Sequence, residues 1–383
     1  MPSQTLQPAT EEELHDAITE AYTAKSALAI EGNGTKRGLG FNVVAQALSL
    51  KAISGIASYE PEEMVITVKA GTPLDLVQQA LTAKRQCLAF EPSSWSPLWG
   101  SAAQATIGGT IAAAVHGPRR FASGGPRDHL LGFSAINGKG ERFKAGGKVV
   151  KNVTGYDLSK LAAGSFGTLF VMTELTLRAI PAAEATIGIV IEGLSVSDAL
   201  VRLRKLAMSP LDPSALSFQS ATSSEPSLTL CRFEGDKQGA IARAEEAQNR
   251  LGPGARLMSE ADTIKVFTRI KQVAPLFDTG ANLWRASLPP TLASQFIALL
   301  QPEKFLADGA GGTVWVQSNS TGIHALAAQC GGHALHVRHQ VNASAENEIF
   351  QPLDPVMAHL TMRIKNAFDP NRVLNPGRMY KEI

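Results

Sequence analysis

Apolar residues recur at helical spacing near the beginning of the sequence. Thr10 followed by Glu13 forms a capping-box pattern, which is typical of the first turn of a helix. Leu14, Ile18 and Tyr22 then fall on one face of that helix. The segment is therefore predicted to be an amphipathic helix.

Two short apolar runs, 27–30 and 65–70, predict strands. The second run leads into a predicted helix with Pro73 at its first position, where the missing N–H of proline costs nothing. The apolar face of that helix carries Leu74, Val77 and Leu81. Each strand runs into a glycine-containing loop, and no long helix follows the first of these loops.

A hairpin and a second set of strands and helices follow. Residues 130–147 read as two strands joined by an Asn137-Gly138 turn, and 169–177 is a further apolar strand. Beyond Pro181, strand and helix patterns repeat. A last predicted helix, with Met357, Leu360, Ile364 and Phe368 near helical spacing, ends in FDPNRVLNPGRM. The fold class is α+β, with expected domains at 1–181 and 182–345 and a C-terminal helix and tail over 346–383 that returns to the first domain.

Composition excludes several classes of protein. Of 383 residues, 44% are hydrophobic and 18% are charged, so the chain is not intrinsically disordered. The net charge of +2 gives no global field for nucleic acid or for an anionic membrane. Three scattered cysteines (Cys87, Cys231, Cys330) form no metal spacing and no disulfide framework. With no signal-peptide pattern, the expected location is cytoplasmic.

Three clusters of small residues each lie beside a predicted strand. They are Gly32 to Lys36, Thr106 to Gly117, and Gly164 to Thr168. Glycine lets backbone N–H groups approach a phosphate or a flat ring closely. Each cluster alone is equally compatible with an ordinary turn or with tight packing. Together they predict a dinucleotide site.

These segments resemble a known family. GSFGTLFVMTELTLR and TIGGTIAAAVHG are similar to motifs of the FAD-binding domain of vanillyl-alcohol oxidase and p-cresol methylhydroxylase. KNVTGYDLSKL is similar to a run of the glycolate oxidase and D-lactate dehydrogenase branch. AFDPNRVLNPGRM resembles the tail of the glycolate oxidase and D-lactate dehydrogenase branch. LWRASLPPT and GGHALHVR resemble segments of the E-type FAD-binding subunits of bacterial glycolate oxidase (glycolate dehydrogenase).

The resemblance implies a two-lobed FAD-binding domain of the p-cresol-methylhydroxylase type, followed by a smaller α+β cap domain. It places the pyrophosphate against the first cluster, the flavin against the second and the adenosine against the third. The implied cofactor-binding residues are Gly32, Asn33, Gly34, Thr35, Lys36, Thr106, Ile107, Gly108, Gly109, Thr110, Ala112, Gly117, Gly124, Gly164, Thr168 and Val171. The first loop has Asn33 and no histidine, so FAD is expected to bind noncovalently.

Oxidation of a 2-hydroxy acid requires a cation for the carboxylate and a base for the hydroxyl proton. Arg285 and Arg338 are the candidate cations and His333 is the candidate base. His333, His336 and His339 are spaced three apart, which on a strand puts His336 on the face opposite the other two and argues against a metal site. Ordinary exposed or hydrogen-bonded histidines are the alternative.

The expected function is that of an FAD-binding subunit that oxidises glycolate to glyoxylate. A homologous flavoprotein subunit and an iron–sulfur subunit would be its partners, because the chain has no cluster-ligating cysteine pattern. Phe166 stands where many oxidising relatives have glutamate, and the H-x-G-D-G-N-x-H stretch of the catalytic subunits is missing. Two alternatives therefore stay open: a structural, catalytically degenerate subunit, and a stand-alone FAD-dependent 2-hydroxy-acid dehydrogenase.

Overall fold

The computed structural model describes residues 5–147, 156–277, 281–339 and 349–383. Residues 151–155 of the KNVTGYDLSKL segment and the expected domain boundary at 345/346 lie outside these ranges. The described helices are α1 (Glu11–Ala24), α2 (Leu74–Thr82), α3 (Ile107–Ala112), α4 (Arg120–Ser123), α5 (Pro126–His129), α6 (Leu158–Ala162), α7 (Val196–Ala207), α8 (Lys237–Leu251), α9 (Glu260–Lys271), α10 (Ala293–Leu300), α11 (Ile323–Gln329) and α12 (Pro355–Phe368).

Seventeen strands are described along the same part of the chain. They are β1 (Leu28–Glu31), β2 (Gln46–Ser49), β3 (Ile56–Glu60), β4 (Val65–Lys69), β5 (Gln86–Cys87), β6 (Leu130–Asn137), β7 (Arg142–Gly146), β8 (Phe170–Arg178), β9 (Ile180–Pro181), β10 (Ala185–Glu192), β11 (Ala215–Gln219), β12 (Leu228–Gly235), β13 (Arg256–Met258), β14 (Leu283–Ser287), β15 (Lys304–Asp308), β16 (Thr313–Gln317) and β17 (His333–Arg338). The mixed α+β fold class is confirmed.

The chain divides into two compact units. Unit 1 comprises Met1–Val115, Gly125–Pro181 and Leu353–Ile383, and unit 2 comprises His116–Gly124 and Ala182–Pro352. The C-terminal segment therefore groups with unit 1. The sequence did not indicate that His116–Gly124 would belong to unit 2.

Unit 1 is built on an antiparallel five-stranded sheet and a parallel pair of strands. The sheet has the order β3-β4-β8-β6-β7, and β1 pairs with β2 in parallel. Thr10 caps α1 by accepting the Glu13 N–H at 3.1 Å, and Leu14 and Ile18 are fully buried in the core of this unit. The predicted first helix is confirmed, and its buried face is the predicted one.

Two local predictions need correction. Pro73 is the N-cap of α2, which begins at Leu74, so proline precedes the first helical residue instead of occupying it. The β6–β7 connection is not a two-residue Asn-Gly turn. Asn137 Oδ1 accepts the N–H groups of Lys139 and Glu141, and the positive φ falls at Gly140 (84°). Gly138 is small for another reason, because a Cβ there would lie 2.2 Å from Asp369 Oδ1.

The uncharged stretch 92–118 contains a short 3-10 helix (Ser96–Trp99) and α3 among turns. It includes buried side chains such as Trp95 and Ile111. Within the described residues, no helix is long and apolar enough to cross a bilayer.

Helix α12 buries a charge and exposes its apolar stripe. Lys365 is its buried side chain, whereas three of the four apolar residues that predicted the helix, Met357, Leu360 and Ile364, are 37–48% exposed. The fourth, Phe368, is partly buried against the unit 1 core. The helical spacing was correct, but the buried face is a different one.

Unit 2 carries an antiparallel eight-stranded sheet with the order β13-β10-β12-β11-β15-β16-β14-β17. Helices α7, α8, α10 and α11 cover its core, which includes Leu200, Phe233 and Phe296. In the register of the edge strands, Ser287 of β14 lies opposite both Thr313 of β16 and His333 of β17. Three polar side chains therefore meet at this end of the sheet.

Candidate functional site

A cavity of about 420 Å³ lies within unit 1, inside the range of roughly 300–1,000 Å³ that is usual for cofactor pockets. All three glycine clusters contribute to its wall. The first contributes Gly32, Asn33, Gly34, Thr35 and Lys36, the second Thr106, Gly108, Gly109 and Ala112, and the third Gly167. Val171 of β8 also lines it. Segments more than 130 positions apart in the sequence thus form one surface.

Glycine is required at the closest approaches in this wall. A Cβ on Gly32 would lie 2.1 Å from the hydroxyl oxygen of Thr106, and one on Gly108 would lie 2.8 Å from the Ala70 carbonyl oxygen. The first contact would force the first cluster away from the second. The second contact would force α3 away from Ala70, the residue that follows β4. The small residues therefore keep the wall thin and the backbone accessible, as a flat ligand requires.

The first cluster presents a row of unused backbone donors. Among the described residues, the N–H groups from Gly32 to Lys36 have no hydrogen-bond acceptor. Thr35 is buried, and its hydroxyl accepts a hydrogen bond from Lys36 Nζ at 3.2 Å. Successive free N–H groups beside an ammonium form an anion-binding nest, which fits the diphosphate of a dinucleotide.

The charged residues that line the cavity are one acid and three bases: Glu31, Lys36, Arg37 and Arg378. Glu31 is engaged by Arg37, whose Nε donates to Glu31 Oε2 at 2.6 Å. The cavity wall therefore carries a net positive charge, which comes from Lys36 and Arg378. Burial lowers the pKa of Lys36 to about 8 and that of Arg378 to about 10. Desolvated cations of this kind gain stability when an anion binds.

We expect the affinity for FAD to depend on pH through Lys36. Binding of a diphosphate favours the ammonium, so affinity should be constant below the Lys36 pKa of about 8 and decline above it. The decline approaches about tenfold per pH unit because one proton is taken up on binding. Titration of flavin fluorescence between about pH 7 and pH 9 measures it.

Lys36→Arg is the matched variant, since arginine stays protonated throughout this range. Its affinity for FAD should vary much less with pH than that of the wild type. Equal pH dependence of the two proteins would show that another group titrates.

Several residues expected at the cofactor do not line this cavity. Ile107 is fully buried in the unit 1 core, and Thr110 donates its hydroxyl to the Thr106 carbonyl at 2.9 Å. The Gly164 N–H donates to the Ile111 carbonyl at 3.2 Å. These three residues hold α3 and the third cluster in position.

The other residues outside this wall divide between the two units. Thr168 donates its hydroxyl to the Ser165 carbonyl at 2.7 Å, within the third cluster. Gly117 and Gly124 belong to unit 2. None of the residues that line the unit 1 cavity is a histidine, cysteine or tyrosine.

Phe166 lines the cavity with a left-handed backbone (φ 54°). Its N–H donates to the Ala112 carbonyl at 2.9 Å, so it joins the third cluster to the second. The residue that departs from the family pattern is therefore part of the wall, with an apolar ring in place of a carboxylate.

A second cavity, of about 470 Å³, lies within unit 2. Polar side chains from three places line it: His116 and Arg120 from the segment 116–124, Ser287 and Thr313 from β14 and β16, and His333 from β17. Asp308 also contributes, and its carboxylate accepts the Ser217 hydroxyl at 2.7 Å.

The hydrogen bonds of His116 assign its tautomer. Arg120 Nη1 lies 3.3 Å from His116 Nε2, and because arginine only donates, Nε2 accepts. Nδ1 therefore carries the proton and donates to the Gly117 carbonyl at 3.3 Å. Burial, with Arg285 and Arg120 nearby, lowers the pKa of His116 well below its usual value. It is a neutral residue that orients Arg120.

Arg285 and His333 lie within electrostatic range of each other and of Arg120. Arg285 and Ser287 alternate by two on β14 and therefore face the same side of the sheet. Burial and the neighbouring Arg120 lower the Arg285 pKa to about 10. His333 is an exposed residue at the start of β17. Partial loss of solvent, followed by the charges of Arg285 and Arg120, lowers its pKa below 6.5. At neutral pH, His333 is an uncharged base beside two guanidinium groups.

Arg338 does not join this group. Its Nε and Nη2 both donate to the Ala281 carbonyl at 3.2 Å, and it does not line the cavity. His336 stacks on Trp284 with ring centroids 4.0 Å apart, on the face of β17 opposite His333. His339 lies beyond the end of the strand, and its ring contacts His336, contrary to the expected face.

Arg119 is also engaged elsewhere in unit 2. Its Nε and Nη2 donate to the two carboxylate oxygens of Glu234 at 3.1 and 2.8 Å. Burial alone would raise the pKa of Glu234, but Arg232 and Arg119 beside it hold the pKa below its usual value. From the sequence, Arg119, Arg120 and Arg127 around Gly124-Gly125 were compatible either with positive charge near a flavin ring or with solvated surface positions, and nothing marked His116. The proximity of Arg120 and His116 to β17 arises only in the folded chain.

Comparisons with known proteins agree with this geometry. Residues 2–146 match a family model described as an FAD binding domain, and residues 316–379 match the C-terminal domain of FAD linked oxidases. A structure of alkyldihydroxyacetonephosphate synthase superposes with a TM-score of 0.68 at 14% identity, covering 97% of this chain and 75% of that one. At that identity, the superposition indicates the fold alone.

Two curated relatives have higher identity. The glycolate oxidase subunit GlcE of Escherichia coli (strain K12) is 33% identical over 97% of both chains. A D-lactate dehydrogenase of Anaerostipes hadrus is 25% identical over 87% of this chain and 79% of that one. The chain therefore belongs to the FAD-linked oxidoreductases that have a p-cresol-methylhydroxylase-type FAD-binding domain, and FAD is its cofactor.

Proposed function

We propose that this chain is the FAD-binding subunit of a glycolate oxidase (glycolate dehydrogenase) complex that oxidises glycolate to glyoxylate. The observation that carries the proposal is the basic cavity of unit 2, where Arg120, His116 and His333 converge and Arg285 adds a second positive charge. A small 2-hydroxy acid presents a carboxylate and a hydroxyl, which are the two groups that such a cavity recognises.

Arg120, His116 and His333 each have a chemical role in the proposal. The guanidinium of Arg120, oriented by neutral His116, binds the carboxylate. His333, uncharged because its pKa is lowered, accepts the hydroxyl proton. When bound, FAD would supply the two-electron acceptor for a hydride from the substrate carbon, which would give glyoxylate and reduced flavin with one proton on His333. Arg338 has no part in this scheme.

The unit 1 cavity is the proposed FAD site, and attachment is noncovalent in this proposal because none of the described residues that line it is a histidine, cysteine or tyrosine. Onward electron transfer requires partners, since the sequence has only three scattered cysteines and offers no iron–sulfur ligand set. A homologous flavoprotein subunit and an iron–sulfur subunit are the proposed partners. The complex would lie in the cytoplasm and reach a membrane acceptor through those partners.

The experiment is anaerobic reduction of the FAD-loaded, purified chain by glycolate, followed by flavin absorbance. Bleaching by glycolate, but not by acetate, which lacks the hydroxyl, is the expected result. If no flavin binds, both the cofactor site and the function are wrong.

A structural subunit is the second candidate, and Phe166 is the observation that favours it, because an apolar ring replaces the carboxylate of many oxidising relatives. Flavin that stays oxidised with glycolate alone and bleaches only when the partner subunits are added would support this candidate. A stand-alone dehydrogenase would instead be active as a monomer in size-exclusion chromatography of native extract.

A further inference from the structure

The C-terminal tail is fixed inside unit 1 by a buried ion pair. Lys365 of α12 and Asp369 after it are both 0% exposed, with Nζ and Oδ2 2.7 Å apart. Lys365 Nζ also donates to the carbonyls of Thr168 (2.6 Å) and Leu374 (3.0 Å). The ammonium thus joins the third glycine cluster to the tail, so residues after 369 have a defined path.

Asn375 connects the tail to two segments of the cavity wall. Its Oδ1 accepts the Ile30 N–H at 2.7 Å, just before the first glycine cluster, and its Nδ2 donates to the Phe166 carbonyl at 2.8 Å. Its backbone is left-handed (φ 44°), a conformation that asparagine tolerates better than most residues. The tail therefore passes along the cavity wall, and Asn375 itself lines the cavity.

Three residues further on, Arg378 extends its guanidinium along the first cluster. Nη2 donates to the Lys36 carbonyl at 2.7 Å and Nη1 to the Phe41 carbonyl at 2.9 Å. Among the described residues, these two carbonyls are its side-chain partners, which leaves further N–H donors on the same group. Arg378 lines the cavity beside the free backbone N–H groups.

We infer that Arg378 of the C-terminal tail is a cofactor-binding residue that pairs with the diphosphate of FAD, together with the backbone of Gly32 to Lys36. The charge on the wall supports this assignment. Among the described residues that line the cavity, Glu31 is the one acid; it is hydrogen-bonded to Arg37 and also lies within electrostatic range of Arg378, so the wall keeps a net positive charge. The inference rests on the proposed function only in requiring FAD as the ligand.

The test measures ligand affinity of the purified full-length chain, stripped of flavin, for FAD, ADP and adenosine. ADP and adenosine are measured by competition with FAD. We expect Arg378→Gln to weaken FAD and ADP at least about tenfold, as for loss of a charge-assisted hydrogen bond, and to leave adenosine within about twofold. Arg378→Lys, which keeps the charge, should fall between the wild type and Arg378→Gln.

Arg372→Gln is the matched control from the same tail. Arg372 donates to the Asp369 and Glu382 carbonyls and does not line the cavity, so its variant should bind all three ligands as the wild type does. The unfolding midpoint of each variant identifies any that is simply misfolded, in which case Arg378→Lys decides.

Two outcomes would overturn the inference. One is ADP binding by Arg378→Gln that equals the wild type. The other is an equal loss for ADP and adenosine, which would mean that Arg378 only holds the tail in place. Absence of FAD binding by the wild type is a different result and counts against the proposed function itself.

Discussion

Lys365→Met should reduce the free energy of unfolding of unit 1 by about 3–5 kcal/mol, because it leaves the Asp369 carboxylate buried without its cation. Lys365 also supplies the donor for the Thr168 and Leu374 carbonyls, which methionine does not replace. The measurement is urea unfolding followed by circular dichroism, with the transitions of the two units fitted separately since a two-unit chain need not unfold in one step.

Lys160→Met is the control, with the same substitution in the same unit. Lys160 pairs with Asp157 at 3.7 Å, and both side chains are at least half exposed, so its loss should cost less than about 1 kcal/mol. Lys365→Met/Asp369→Asn should recover part of the loss, because the buried carboxylate becomes neutral. Equal stability of Lys365→Met and Lys160→Met would show that the buried pair does not anchor the tail.

The pair also shows where sequence reasoning stops. The spacing of Met357, Leu360 and Ile364 predicted α12 correctly, but in the structure those residues are exposed and the buried side chain is Lys365. A charged residue at helical spacing is read as solvent-facing, since lysine is rarely buried without a partner. Its partner Asp369 lies past the end of the helix, and the carbonyl acceptors come from distant residues.

The candidate site likewise contains residues that the sequence predicts and residues that it does not. Glycine clusters can be recognised in a sequence because glycine allows turns and close backbone approaches that other residues do not. All three clusters contribute to one cavity. Arg378 carries no such local signal, and Arg120 was recognisable only as one of three arginines around Gly124-Gly125, with a solvated position as the alternative. An arginine in a tail or beside a short helix is normally solvated, and its role depends on which strands and loops surround it after folding. The same holds for Arg338, whose guanidinium donates to the Ala281 carbonyl.

The second large effect is expected from substitution of His333 in the unit 2 cavity. His333→Asn should lower kcat/KM for glycolate by about 10²–10⁴-fold, which is the usual range for loss of a general base. Anaerobic stopped-flow reduction of the bound flavin measures it directly. His339→Asn is the control, because His339 is exposed, lies beyond the end of β17 and does not line the cavity. It should leave kcat/KM unchanged.

The pH profile separates a base from a merely structural residue. His333 acts when neutral, and the charges of Arg285 and Arg120 add to desolvation in lowering its pKa below 6.5. Wild-type kcat/KM should therefore be level above about pH 6.5 and decrease below the lowered pKa, as His333 takes up a proton. His333→Asn should lose this acid limb. A variant that is slower but keeps the same acid limb would place the base elsewhere, because the titrating group would still be present.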